Sequence, residues 1–263
     1  MDFDALAPVG LARRALADVN AAPPSNPAEV LALLMDFSGS VALAKVLHAP
    51  APQGPSHPEA AALAQQLQTR VQRQIEALQG RSLRPLEGVR APVVPSPGEL
   101  FDALARCTGA PGVRPEDAAV LELARELGAP LRAALGACLR QIQAHFAAVR
   151  HELTPELHQL GPRARRLERI DAALQRSIAA KVAQLFERME LAAELTFERA
   201  CAEACAALPE SFGVEALVAW AADSGWISHY RRRCLYVARG FFDHMRRGLE
   251  ALLSAASEAE VES

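Results

Sequence analysis

The stretch from Arg163 to Leu208 reads RARRLERIDAALQRSIAAKVAQLFERMELAAELTFERACAEACAAL, and it contains neither glycine nor proline. At 1.5 Å per residue, a helix over this stretch would be roughly 65–70 Å long, whereas the mean helix has ~11–12 residues. Its apolar residues recur at steps of three and four, which keeps one stripe facing a neighbour. The stripe comprises Leu167, Ile170, Leu174, Ile178, Val182, Leu185, Met189, Ala192 and Leu195. This pattern predicts a helix of a bundle, a coiled coil or an assembly rod.

The composition of the rest of the chain also favours helices. Apolar residues make up 51% of the sequence but aromatic residues only 5%, and alanine and leucine with many arginines and glutamates are helix formers. Runs of β-branched or aromatic residues that alternate with period two, typical of strands, are missing from the sequence. The sequence therefore predicts an all-α fold, with a smaller N-terminal helical region followed by a long-helix antiparallel bundle.

Proline and glycine set the expected domain boundaries, because they interrupt regular structure. In the N-terminal region, helices are expected over about Phe3–Val19, Pro27–His48 and Ser56–Leu78, with a break of the second at Ser38–Ser40. The densest cluster of prolines and glycines then predicts a linker. The expected organisation is an N-terminal helical region over 1–79, a linker over 80–98, the bundle over 99–253 and an acidic, frayed tail over 254–263.

Within the bundle, the long helix is expected to have two helical neighbours. One covers Glu116–Glu152 and bends at Gly128–Pro130, and a turn over Thr154–Pro162 separates it from the long helix. Because a short connection makes antiparallel neighbours, these two should pair. After a short helix over Phe212–Ala222, a final helix is expected over Ser228–Leu253. Whether the apolar stripe closes a bundle within one chain or pairs with a second copy stays open.

The charge and the cysteines indicate a cytoplasmic protein. The formal net charge is −3, from 28 basic and 31 acidic residues, which gives no global attraction to nucleic acid or membrane. The N-terminus, MDFD, lacks the basic and apolar regions of a signal peptide. No apolar run approaches the ~20 residues that span a bilayer. The five cysteines are odd in number and scattered, as expected for thiols in a reducing compartment.

Catalytic motifs are absent from the sequence. It contains no GxSxG, no P-loop and no GxGxxG between a strand and a helix. We therefore predict a protein that is not an enzyme and that uses no cofactor.

Two groups of residues could in principle ligate a metal ion, but we interpret both as structural. Cys201 and Cys205 share a helix face, but zinc needs four ligands and no nearby pair completes the set, so they are interpreted as small apolar fillers. His145, His151 and His158 are spaced six and seven residues apart, yet the expected break at Pro155 separates His158 from the other two. No metal site is predicted.

Two arginine clusters are the candidate binding residues. Between His229 and Gly248 there are six arginines and one aspartate, and apolar residues occupy the opposite helix face. Arginines in such clusters bind phosphates or an acidic protein face, or form a solvated surface, and the sequence leaves these three interpretations open. The candidate residues are His229, Arg231, Arg232, Arg233, Arg239, Arg246 and Arg247 in the last helix, and Arg163, Arg165, Arg166 and Arg169 in the long helix.

Two segments resemble a known family. The first comprises Leu16–Val19, a proline-rich break, Val30–Leu34 and Ser40–Ala44, and the second is Arg163–Ala200 with LERIDAAL and LFERM. In order, they are similar to a helical proteobacterial family of formerly unknown function. Its genes lie beside a MotA-like protein with a long cytoplasmic tail and an OmpA/MotB-like protein, in clusters assigned to type III Zorya anti-phage defence.

The resemblance implies an accessory subunit that couples a proton-driven MotA/MotB-like motor to attack on phage DNA through protein–protein contacts. The expected partners are the motor and a second accessory protein, with DNA binding by the last helix as the alternative. The family supplies no catalytic motif to carry over to this chain, and the cluster from His229 to Arg233 has no counterpart in it.

Overall fold

A computed structural model describes residues 37–50, 52, 59–88 and 91–261 of the chain. The regular secondary structure of these residues is helical, apart from one isolated antiparallel bridge between Val113 and Ser211. The predicted all-α fold is confirmed.

The described chain divides into two compact units. Unit 1 comprises the described residues of Met1–Ser82, Gln141–Phe186 and Gly240–Ser263, and unit 2 comprises those of Leu83–Arg140 and Glu187–Arg239. The helices are α1 (Phe37–His48), α2 (Ala60–Ser82), α3 (Arg84–Glu87), α4 (Pro97–Thr108), α5 (Asp117–Leu160), α6 (Pro162–Ala206), α7 (Val218–Ala221) and α8 (Trp226–Val261), with a 3-10 turn over Val214–Leu217. Residues of α5, α6 and α8 contribute to both units.

The paired long helices α5 and α6 run antiparallel, as predicted. In unit 1, Arg150 of α5 binds Asp171 of α6, and further along α5 His158 binds Glu168. In unit 2, Arg132 pairs with Glu194 and Arg140 with Glu190. In each unit the residue numbers rise along α5 as they fall along α6, which is the order of an antiparallel pair.

The core of unit 1 forms between α2, α5 and α8. One apolar face of α2 is buried, as shown by Leu67, Val71 and Ile75. Phe146 of α5 and Phe242 of α8 meet edge to face, with ring centroids 5.1 Å apart. At the end of α2 the buried hydroxyl of Ser82 forms a hydrogen bond of 2.8 Å with Nδ1 of His145, which satisfies a polar group that would be costly to bury alone.

In unit 2, helix α4 has a well-defined start. Ser96 caps α4 by accepting from the backbone N–H of Glu99, whose carboxylate accepts from the backbone N–H of Ser96. This reciprocal capping box, with Pro97 in the first turn, fixes where α4 begins. Gly112, with φ of 70°, leaves room for the carbonyl oxygen of Phe212, which would lie 2.5 Å from a Cβ. These contacts hold the loop after α4 against the segment that follows α6.

The long helix is observed where the sequence predicts it, but a different face is buried. Helix α6 covers Pro162–Ala206. Of the predicted stripe, only Met189 is buried, and Leu195 is 57% exposed. The buried residues of α6 are Ala164, Ala173, Phe186, Met189, Phe197, Cys201 and Cys205. The other seven residues of the stripe are half-buried. The predicted seam therefore coincides only partly with the packed face, because alanine-rich α6 carries apolar residues on several faces.

The predicted end of α5 at Glu152 is also wrong. Helix α5 continues through Gly128–Pro130 and Pro155 and ends at Leu160. The turn expected from Thr154 is therefore helical, and His145, His151 and His158 lie on one continuous helix. Likewise, α1 passes through Ser38–Ser40 without the expected break.

The structure also revises the segments predicted to be irregular. Helix α2 extends to Ser82, α3 follows at once, and Leu83, Leu86 and Ala91 are buried, so the start of the expected linker over 80–98 is packed into the fold. Helix α8 continues to Val261, through most of the tail expected to fray. The predicted helix over Phe3–Val19 and the expected cap at Ser56 lie outside the described residues.

Candidate interaction surface

The arginines that open α8 are held by neighbouring carbonyl groups. Arg231 donates from Nη2 to the carbonyl oxygen of Leu86 at 3.2 Å, and Arg232 donates from Nη2 to that of Asp223 at 2.9 Å. Because a guanidinium is planar and presents several donors, each side chain keeps donors for a second acceptor. Arg232 is exposed, whereas Arg231 is half-buried.

Arg232, Arg239 and Arg246 are spaced seven residues apart along α8 and form an arginine stripe. The second and third of these arginines are paired with acids. Arg239 forms an ion pair with Glu87 of α3. Arg246 lies 3.4 Å from both Asp243 and Glu250 on its own helix. Each arginine of the stripe Arg232, Arg239 and Arg246 therefore has an acceptor within its own unit, so the surface is less cationic than the sequence suggests.

Tyr236 is a surface residue that the sequence reasoning missed. Its side chain is 60% exposed, and it lies four residues after Arg232 and three before Arg239. These spacings place the three residues on one helix face, and His229 continues that face toward the start of α8. We call the exposed residues His229, Arg232, Tyr236 and Arg239 the α8 patch; all four belong to unit 2. The helical spacing of Tyr236 between two arginines is the signal that would have found it.

Arg233 lies beside the α8 patch and carries an unsatisfied donor. Its Nε atom is buried without a hydrogen-bond partner among the described residues, as is Nε1 of Trp226 one heptad earlier. A buried donor left unpaired costs about 1–3 kcal/mol.

The second predicted cluster lies at the start of α6, in unit 1. Arg165 donates from Nε to the carbonyl oxygen of Gly161 at 3.4 Å, and Arg166 donates from Nη2 to that of Leu47 at 3.0 Å. Arg163 also takes part in an interaction within the chain, and Arg169 is exposed. This cluster thus shares unit 1 with Arg246 and Arg247 of α8, whereas the candidate residues of α8 up to Arg239 belong to unit 2. The bonds of Arg165 and Arg166 tie the start of α6 to Gly161 and to α1.

The cysteines are packing residues in the described structure. Cys201 and Cys205 are buried, and Cys201 donates from Sγ to the carbonyl oxygen of Val120 at 3.9 Å. The hydrogen bond from the Cys201 thiol to Cys205, together with burial, raises the pKa of Cys201. Among the residues that the structure describes, no three His, Cys, Asp or Glu side chains are placed to hold a metal ion.

Burial should make the thiols differ sharply in reactivity. Cys107 is half-buried, whereas Cys138, Cys201, Cys205 and Cys234 are buried, and burial raises the pKa of Cys138 to about 12 and that of Cys234 to about 11. Because the thiolate is the reacting species and each pKa unit is about tenfold in its population, we expect iodoacetamide to modify Cys107 at least about tenfold faster than Cys138 and Cys234. Cys205 is protected by burial alone, since the hydrogen bond with Cys201 lowers its pKa.

Peptide mapping by mass spectrometry at mildly alkaline pH measures these rates. In concentrated guanidinium chloride all five cysteines should react alike. Equal rates in the folded protein would contradict the buried placement of the four thiols.

Enclosed space in unit 2 is small. The cavity between Gly128, Phe197 and Tyr230 holds about 10 Å³, which is about the least volume that a water molecule needs.

No helix among the described residues is long and apolar enough to cross a membrane.

Comparison of the chain with protein-family models, with curated proteins and with solved structures found no match. A proposal for its function therefore depends on the sequence, the helical fold and the α8 patch.

Proposed function

We propose that this protein is a non-enzymatic accessory component of a type III Zorya-like anti-phage defence system. In this proposal it couples a MotA/MotB-like membrane motor to attack on invading DNA by contacting other proteins. The family resemblance and the helical fold support the proposal. The observation that carries it is the α8 patch, where an exposed tyrosine lies between arginines.

The α8 patch has the composition of a protein-binding surface. Tyrosine and arginine are enriched in interfaces and among the residues that dominate binding energy. The bonds from Arg232 to Asp223 and from Arg239 to Glu87 restrict both side chains before a partner arrives, which lowers the ordering cost of binding. An acidic partner surface would complement the remaining guanidinium donors of Arg232 and Arg239.

The proposal predicts binding to a MotA-like protein of the kind encoded beside the genes of the family that this chain resembles. We expect Tyr236→Ala and Arg232→Glu each to weaken binding to its cytoplasmic tail by at least about tenfold, since truncation of a central interface residue costs about 2 kcal/mol or more. Biolayer interferometry with the full chain measures the dissociation constants.

The matched control is Arg199→Glu. Arg199 is exposed on α6 and pairs only along its own helix, with Glu203 at 3.0 Å, so its reversal changes the net charge by the same amount as Arg232→Glu and should leave binding unchanged. Equal loss in both charge variants would indicate a general charge effect, and failure of the wild-type chain to bind would contradict the proposal.

An alternative function is DNA binding by α8. An exposed aromatic ring between arginines is also the arrangement with which proteins stack the bases of single-stranded DNA. A gel shift across a salt series tests this alternative with the variants Arg232→Glu, Arg239→Glu and Arg246→Glu. Binding that weakens steeply with salt and is lost in these variants would support it; undetectable or salt-independent binding would contradict it.

A further inference from the structure

A cationic cluster different from the one at the start of α6 also lies in unit 1, and it is centred on Arg150 of α5. Its Nε donates to Oδ2 of Asp171 on α6 at 2.9 Å, and Oδ1 of Asp171 accepts from Nε2 of Gln175 at 3.4 Å. Arg150 and Asp171 are only 13% and 18% exposed. Both oxygens of the carboxylate are therefore engaged, and the carboxylate binds one edge of the guanidinium only.

The outer end of Arg150 faces a glycine of α8. A Cβ on Gly248 would lie 3.5 Å from Nη2 of Arg150, an ordinary contact, and Gly248 is exposed. Alanine would thus fit at this position and would be the better helix former. The glycine leaves the surface above Nη2 open, and no described residue accepts a hydrogen bond from that atom.

Two further basic residues of α8 border this opening. His244 lies one helical turn before Gly248, and Arg247 lies next to it. The spacings of three and four residues place His244, Arg247 and Gly248 on neighbouring positions of one helix face. Partial burial, followed by the charges of Arg247 and then Arg150, lowers the pKa of His244, although the residue is exposed. Two arginines and one histidine thus border the opening, and the carboxylate of Asp171 binds the Nε edge of Arg150.

We propose that Arg150, His244 and Arg247 form a binding site for a phosphate group, with Gly248 as its floor. The guanidinium donors of the two arginines suit phosphate oxygens, and the imidazole adds a third donor. The missing side chain at Gly248 lets an oxygen approach Nη2. This site is in unit 1 and does not depend on the α8 patch of unit 2.

Nuclear magnetic resonance of the full, isotopically labelled chain tests the site. The signals to follow are the imidazole resonances of His244 and the Nε–H signals of the two arginines. We expect saturable shifts on addition of sodium phosphate and none with sodium chloride at the same ionic strength. Shifts in these signals with a short single-stranded oligonucleotide as well would identify nucleic acid as the carrier of the phosphate, and shifts with inorganic phosphate alone would identify a small molecule.

Two variants distinguish specific phosphate binding at this site from nonspecific electrostatic attraction. Arg247→Gln should weaken phosphate binding about tenfold through loss of a charged hydrogen bond. Gly248→Ala keeps every charge, yet its methyl group should cover Nη2 and also weaken binding several-fold while the melting temperature rises. Arg199→Gln is the control and should bind like the wild type. Shifts that do not saturate, that chloride reproduces, or that persist unchanged in both variants would overturn the proposal.

Discussion

Replacement of Phe197 by alanine is expected to lower the free energy of unfolding by about 3–5 kcal/mol, the range for large aromatic residues in a core. Phe197 is 1% exposed on α6 in unit 2. Its ring centroid lies 5.1 Å from that of Trp226 and 4.8 Å from that of Tyr230, and Trp226 in turn packs on Trp220 at 5.6 Å. Loss of the phenyl ring therefore removes two aromatic contacts as well as apolar burial.

The neighbouring helix cannot close the space that this variant leaves. Across from the ring is Gly128 of α5, where a Cβ would lie only 2.8 Å from Cδ1 of Phe197. The backbone of α5 is thus already as close as a glycine allows, and both helices are held by the ion pair of Arg132 with Glu194. A cavity that persists costs more than one that collapses, so we expect the upper part of the range.

Urea unfolding measures this effect with two probes. Both tryptophans of the chain, Trp220 and Trp226, lie in unit 2, so their fluorescence reports on that unit, whereas circular dichroism reports on all helices. The control is Leu195→Ala, because Leu195 is two residues away on the same helix but 57% exposed; it should cost less than about 0.5 kcal/mol. Similar losses in the two variants would contradict the described packing.

The length of the helices follows from the sequence only in part. The stretch without proline and glycine predicted α6 almost to the residue, but Pro155 marked a false break in α5. Around Pro155, the residues Val149, Leu153, Leu157 and Leu160 are all buried, so an apolar face continues across the proline. Thr154 donates from Oγ1 to the carbonyl oxygen of Arg150 at 3.2 Å, which adds a side-chain bond next to the position where proline lacks a donor. Tertiary packing thus offsets the local cost of proline, which sequence pattern alone does not reveal.

The candidate surface, too, could be predicted from the sequence only in part. The sequence identified the arginines of α8, because charge spacing along a helix is readable. It did not reveal that Arg232 and Arg239 have acceptors in Asp223 and Glu87, since these residues are distant in sequence or lie in a loop. Tyr236 was missed because the sequence analysis selected basic residues only, and the exposure of an aromatic ring depends on how α8 packs.

Two ion pairs of the same chemistry differ in burial and should therefore differ in strength. Arg199 and Glu203 form a pair on the surface of α6, where their side chains are 71% and 68% exposed. Solvent screening limits such pairs to about 0–1 kcal/mol. Arg150 and Asp171 are only 13% and 18% exposed, so neither charge recovers full hydration if its partner is removed.

We therefore expect Asp171→Ala to lower the free energy of unfolding by about 2–4 kcal/mol, near the 3–5 kcal/mol typical of a broken buried pair, and Glu203→Ala by less than about 0.5 kcal/mol. Most of the loss at Asp171 comes from the unpaired guanidinium of Arg150, because that charge stays in a largely dry position. The double variant Asp171→Leu with Arg150→Met should then recover most of the stability, since it removes both charges and keeps the volume apolar. Urea unfolding monitored by circular dichroism compares the variants. A loss in the double variant as large as in Asp171→Ala would mean that the pair itself, rather than the stranded charge, stabilises unit 1.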